Sequence, residues 1–256
     1  MESHMLKLTI ALMAMAVAGY AVCSADSPQN GVAMQSMTVS DLEKAGDDCR
    51  QQKDYEQAIR YFQAALRKDK KNAKLYNKLG LSELKLNATR DARAYFNKAA
   101  KYDRAYPEAW NNIGATYYVE KNYAAAAKYF KKAVALDETR ASFHVNLGAS
   151  WFAQDEMDRA IREYTRALEL DPDVLMRESR VGVSAQITSP EERARHEYMM
   201  AKIYARLGNV DSCLACLRRA KENGYRDLGK VYKDEEFASV RQDARLAEIV
   251  PPPQPK

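Results

Sequence analysis

Few residues in this chain interrupt regular backbone: there are eight prolines and ten glycines in 256 residues. Ala, Lys, Glu, Leu, Arg and Tyr dominate instead between positions 40 and 250. That bias favours helix, because few of these side chains lose much freedom in one. The expected class is all-α, with no strand of consequence. With 46% hydrophobic and 29% charged residues, the composition is that of a soluble folded protein and excludes a disordered chain.

Reactive side chains are scarce as well. The three histidines are His4, His144 and His196, and none has a ligand partner at metal-binding spacing. Gly229-Lys230 lacks the upstream glycine of a phosphate loop, and no nucleophile-elbow serine motif occurs. Asn87-Ala88-Thr89 is a glycosylation sequon, meaningful only in a eukaryotic secretory pathway. Of the four cysteines, Cys213 and Cys216 spell C-x-x-C, but no second pair or histidine completes a zinc or haem motif. Catalytic residues, metal and cofactor are all expected to be absent.

The first 25 residues have the layout of a secretory signal peptide. Lys7 precedes fifteen uncharged residues, Leu8 to Val22, with small residues following at Ser24 and Ala25. This run is shorter than the roughly 20 residues of a spanning helix. The expectation is an exported bacterial protein, periplasmic or secreted, cleaved after Ala25. The alternatives are an uncleaved inner-membrane anchor and a lipoprotein modified at Cys23, so membrane contact is expected only through this N-terminal segment.

Charge is uneven. Between Leu66 and Arg104 twelve Lys or Arg face four acids, a local excess of eight. Such a surface is either simply solvated or a docking face for an acidic partner or an anionic lipid surface. Nucleic acid is not an expected partner, because of the export expectation.

The strongest signal is a period of 34. Gly46, Gly80, Gly114 and Gly148 keep that step, as do Ala58, Ala92, Ala126 and Ala160, and also Ala65, Ala99, Ala133 and Ala167. Phe62, Phe96, Phe130 and Tyr164 follow it too. A fifth copy, with Ala201, Cys213 and Ala220, lies 53 residues after its counterparts, so 19 residues are inserted near Leu175 to Arg193. Cys213 thus stands where other copies have alanine, which favours a small buried side chain over thiol chemistry. Within one copy, Trp110, Ile113, Gly114 and Tyr117 line one helix face, and Ala126, Phe130 and Ala133 a second. One such hairpin cannot bury its own stripe, so neighbours must stack.

The pattern resembles the tetratricopeptide repeat, W-x2-L-G-x2-Y…A-x3-F…P. Copy three carries Trp110, Ile113, Gly114, Tyr117, Ala126 and Phe130, with Glu138 in the proline place. Copy four carries His144, Leu147, Gly148, Trp151, Ala160, Tyr164 and Pro172, while copy two has Glu83 in place of an aromatic. The resemblance implies a right-handed superhelical solenoid of five helix-turn-helix repeats with C-terminal capping helices. The expected order is signal peptide 1–25, linker 26–38, repeats one to four over 39–174, and an insertion loop at 175–193. Repeat five at 194–224, a cap at 225–250 and a Pro-rich tail at 251–256 complete it.

By the same resemblance, first helices line a concave, peptide-binding groove. Its expected residues are Asn77, Lys78 and Leu84 from copy two and Asn111, Asn112 and Tyr118 from copy three. Asn146 and Phe152 come from copy four, and Tyr198 and Lys202 from copy five. Asparagine is a poor helix former, and its amide both donates and accepts, which suits a peptide backbone. Leu84, Tyr118 and Phe152, 34 apart, form an apolar strip that either receives a partner or packs on neighbouring helices. A three-repeat carboxylate clamp is not matched, because Glu43, Asp47 and Glu108 stand at its places. The expected function is a protein–protein interaction scaffold or adaptor of the cell envelope that binds peptide segments. The alternative is a membrane-attached or lipidated assembly factor for an envelope complex.

Overall fold

The computed structural model describes residues 34–175 and 189–253, and among them there is helix but no strand. The expected signal peptide, residues 176–188 of the insertion and the last three residues lie outside the described part. The chain divides into two compact units, up to Thr116 and from Tyr117 onward. No helix among the described residues is long and apolar enough to cross a membrane.

Among the described residues ten helices follow one another in five pairs. They are α1 (Val39–Gln51) and α2 (Tyr55–Lys68), α3 (Ala73–Lys85) and α4 (Thr89–Tyr102), and α5 (Pro107–Val119) and α6 (Tyr123–Leu136). Then come α7 (Ala141–Phe152) and α8 (Met157–Leu170), and α9 (Pro190–Arg206) and α10 (Val210–Glu222). Three 3₁₀ turns (Leu228–Tyr232, Glu235–Phe237, Val240–Gln242) and a short α11 (Arg245–Ile249) follow.

The hairpin turns share one local solution. Lys53, Asn87, Lys121, Asp155 and Gly208 are all left-handed, with φ between 60° and 71°, and they keep the repeat register. The next residue caps the second helix: Asp54, Asn122 and Asn209 accept from the backbone N–H three positions on. Ala88 and Glu156 stand at this place without a side-chain cap bond. A cap of this kind satisfies one of the orphan amides of a helix start.

The periodic positions are the core. Ala58, Ala92, Ala126, Ala160 and Cys213 are wholly buried, as are Ala65, Ala99, Ala133, Ala167 and Ala220. Phe62, Phe96, Phe130 and Tyr164 sit beside them with at most 1% exposure. Burying each of these rings is worth about 2–3 kcal/mol. The glycines make room for them: a Cβ on Gly46 or Gly80 would fall under 3.0 Å from three ring atoms of Phe62 or Phe96. The first helix can therefore lie against the second only where the side chain is a hydrogen.

Two segments differ from the sequence-based expectation. The linker ends early, because Met34 and Met37 pack on the first repeat's core and Lys68 donates to the carbonyls of Gln35 and Met37 at 2.7 and 2.6 Å. The insertion loop also ends early: Ser189 accepts from the N–H of Glu192, Glu192 returns the bond, and Pro190 opens α9. Ser-Pro-Glu-Glu is thus a capping box, and residues 190–193 are helix rather than loop.

Candidate functional site

The first-helix face of the first unit is polar and linked from one repeat to the next. Lys78 of α3 reaches back to α1, with its ammonium 2.6 Å from Glu43 and 2.5 Å from Asp47. Burial opposes its charge, but the hydrogen bonds to Asp47 and Glu43 outweigh that and hold the Lys78 pKa above its ordinary value. One step along, Asn112 of α5 donates to Asn77 of α3 at 2.8 Å. The two bonds are equivalent in register, since Lys78 and Asn112, and likewise Glu43 and Asn77, lie 34 residues apart. Asn111 donates to Asn112 at 3.5 Å. The structure thus brings together Asn77, Lys78, Asn111 and Asn112, with Asn77 buried and the other three half-buried. Arg50 also reaches Asp47 at 3.4 Å, so the two carboxylates of the α1–α3 part face two cations and their charges balance.

The expected apolar strip is a correction. Tyr118 and Phe152 are 5% and 8% exposed, and therefore offer no open strip. Tyr118 lies edge-on to Tyr123 at 5.0 Å, and burial pushes its hydroxyl pKa up. Phe152 lies edge-on to His196 at 5.4 Å, with the Arg195 guanidinium 5.7 Å from its ring. These two rings pack on neighbouring helices, the other of the two readings open from sequence. Leu84 is half-buried and Asn146 is buried.

Tyr198 and Lys202 are a second correction, because the chain's own cap covers them. Tyr198 donates to Asp234 at 3.1 Å, and Lys202 lies 2.9 Å from Asp234 and 3.5 Å from Glu236. Arg206 adds a 2.8 Å contact to Glu236. Tyr198 also stacks on Tyr225 at 4.4 Å, against buried Phe237. Desolvation, then the charge of Asp234, pushes the Tyr198 pKa up. Tyr198 and Lys202 hold the register of Glu43 and Asp47 in repeat one. Asp234 therefore does for repeat five what Lys78 does for repeat one, with the charges exchanged. The cap stands where the first helix of a further repeat would reach back. The signal available in sequence was an acidic Asp234-Glu235-Glu236 run following a helix that carries Lys202 and Arg206.

Cys213 and Cys216 are free and buried, and burial pushes both thiols up to about 12. His144 is buried, 2.8 Å from Glu163 and 3.1 Å from the Glu138 carbonyl. Among the described residues no cluster is suited to a metal ion. A cavity of about 450 Å³ lies between the start of α9 and the residues after α10, lined by Pro190, Arg195 and Tyr225 among others. None of the groove residues expected from sequence lines it.

Repeat-by-repeat matches decide the family. Tetratricopeptide repeat models match residues 46–87, 73–106, 107–140 and 141–174, which together span half of the chain. The chain belongs to the tetratricopeptide repeat family. As a member it is a non-enzymatic scaffold for protein–protein interaction. Solved structures share the fold. The MamA protein matches with a TM-score of 0.52 at 22% identity, over 77% of this chain and 95% of its own. YrrB, described as a TPR protein with an unusual peptide-binding site, matches with a TM-score of 0.52 at 16% identity, over 80% and 96%. PilF of Pseudomonas aeruginosa matches with a TM-score of 0.52 at 17% identity, over 80% and 81%. Among curated proteins no match was found.

Proposed function

We propose that this tetratricopeptide repeat protein is an adaptor of the cell envelope that holds an extended peptide segment on the first-helix face of its first three repeats. The observation that supports this most is the amide pair Asn77–Asn112, with Asn111 beside it. An asparagine on a helix costs propensity, and the half-buried Asn112 amide has a second donor hydrogen and a second acceptor lone pair that suit a peptide backbone. The neighbouring Lys78 and Arg50 are already paired with Glu43 and Asp47, so that point offers no open cation for a free carboxylate. The peptide-binding site in the description of YrrB is consistent with this use of the fold. Placement in the envelope rests on the leader-like composition of residues 1–25, with export and cleavage as the main reading. Retention at the membrane as an assembly factor is the alternative, and fractionation of the native protein separates the two.

The test is a peptide array probed with the full chain, its Asn111→Ala/Asn112→Ala variant, and a Lys128→Ala control. Loss of about tenfold or more in affinity on the double variant alone, about 1.4 kcal/mol, is the expected result. Equal binding by all three would remove the reading.

A further inference from the structure

We infer that the edge where repeats one and two end their second helices is a docking site for an acidic polypeptide segment. The inference rests on the reading that this chain binds polypeptide, but uses residues apart from the first-helix face. Tyr76 is the hub. Its ring stacks on Tyr102 at 5.4 Å and Tyr95 at 6.4 Å, and its hydroxyl donates to the Lys70 carbonyl at 3.2 Å. The Lys98 ammonium lies 5.6 Å from the Tyr76 ring and 5.4 Å from the Tyr95 ring. The basic 70–71 turn is thereby placed beside the end of α4, where Lys101 and Arg104 follow. Lys70, Lys71, Lys74, Lys98, Lys101 and Arg104 are all exposed. No ion pair among the described residues engages these six.

The chain contains its own control for a purely structural role. Cations near a helix C-terminus favour the macrodipole, and α2 and α4 carry Arg67, Lys68 and Lys101 in their last turns. The counterpart helices α6 and α8 have no basic residue there, yet both form. Where repeats one and two have Lys70 and Arg104, repeats three and four have Glu138 and Pro172. The fold does not require this charge, which belongs to two repeats only.

An acidic polypeptide fits better than an anionic bilayer. Bilayer attachment gains from apolar side chains that insert as well as from charge. Here Tyr76 and Tyr95 are stacked and half-buried, and of the large apolar side chains exposed among the described residues only Tyr102 lies on this edge. The chain also displays the chemistry elsewhere, since Tyr198, Lys202 and Arg206 hold its own Asp234 and Glu236.

The experiment measures binding of a fluorescein-labelled poly-Glu peptide to the full chain by anisotropy at rising salt. A variant with Lys70→Glu, Lys71→Glu, Lys101→Glu and Arg104→Glu is compared with a control carrying Lys128→Glu, Arg162→Glu, Arg218→Glu and Arg226→Glu. Both change net charge equally, and Gln versions of the four edge substitutions serve if charge reversal disturbs folding. Expected are salt-sensitive binding and a loss of about tenfold or more for the edge variants, against less than about threefold for the control. Equal losses, or no binding at all, would overturn the inference. So would binding to phosphatidylglycerol vesicles without binding to poly-Glu. Asn111→Ala/Asn112→Ala is expected to leave poly-Glu binding unchanged, so the two proposals fail separately.

Discussion

Tyr198 donates its hydroxyl to Asp234 at 3.1 Å, tying the first helix of the last repeat to the segment that closes it. Asp234 also pairs with Lys202, and both side chains are less than a quarter exposed. Tyr198→Phe removes one hydrogen bond and is expected to cost about 1 kcal/mol. Asp234→Ala leaves a half-buried ammonium short of a partner and is expected to cost about 2–3 kcal/mol. Urea unfolding gives both values, and faster tryptic cleavage after Lys230 or Lys233 would locate the loosening. Unchanged midpoints for both variants would mean that the cap is held by its apolar contacts alone.

The glycines facing aromatic rings make a graded prediction. Gly80→Ala drives a methyl group into the fully buried Phe96 ring, whereas at Gly148 the nearest Tyr164 atom is 3.0 Å away. Overpacking of this kind costs about 1–3 kcal/mol. Gly80→Ala should lie at the upper end and Gly148→Ala at the lower. Adding Phe96→Leu to Gly80→Ala should recover part of the loss, which chemical denaturation can measure.

The left-handed turn residues predict effects of opposite sign. Lys121 sits at φ 60° and Gly208 at φ 71°. A non-glycine residue pays about 1 kcal/mol there. Lys121→Gly should stabilise by up to that amount, and Gly208→Ala, which meets no neighbouring atom, should destabilise similarly. Because neither change alters a contact, thermal midpoints moving together in one direction would contradict the account.

His144 gives a pH dependence. Its hydrogen bond to Glu163 outweighs burial and holds its pKa above the ordinary 6.5. The stabilisation is therefore complete below about pH 6.5 and is lost as pH rises through the raised value. The stability advantage of the native chain over Glu163→Gln should be larger at about pH 6 than at about pH 9. An advantage that grew with pH would show that the histidine is neutral in this pair.

How far the sequence was legible follows from what each position depends on. Gly80, Ala92 and Phe96 meet within one hairpin, so their spacing alone reports their contact. Tyr118 and Phe152 were harder, because their exposure is set by residues far along the chain: Phe152 is covered by His196 and Arg195 of the following repeat. Periodicity marks an inward face but does not distinguish a face turned to a partner from one turned to the next helix. Asp234 and Glu236 lay beyond the repeats, where no register told which side chains they would meet. Lys53 and Lys121 were invisible for another reason, since lysine carries no signature of left-handed backbone, whereas Asn87, Asp155 and Gly208 are of types enriched there.

The acidic cap has a consequence for how molecules meet one another. A stack of like units that ended on an unsatisfied Lys202 would be a template, open to the first hairpin of another molecule and then another after that. Asp234 and Glu236 quench that end from within. An incoming first hairpin would also bring Lys44, the register equivalent of Lys78, to a site whose carboxylates are already taken by Lys202 and Arg206. The last repeat is therefore met by the chain's own cap and does not present an open row of cations.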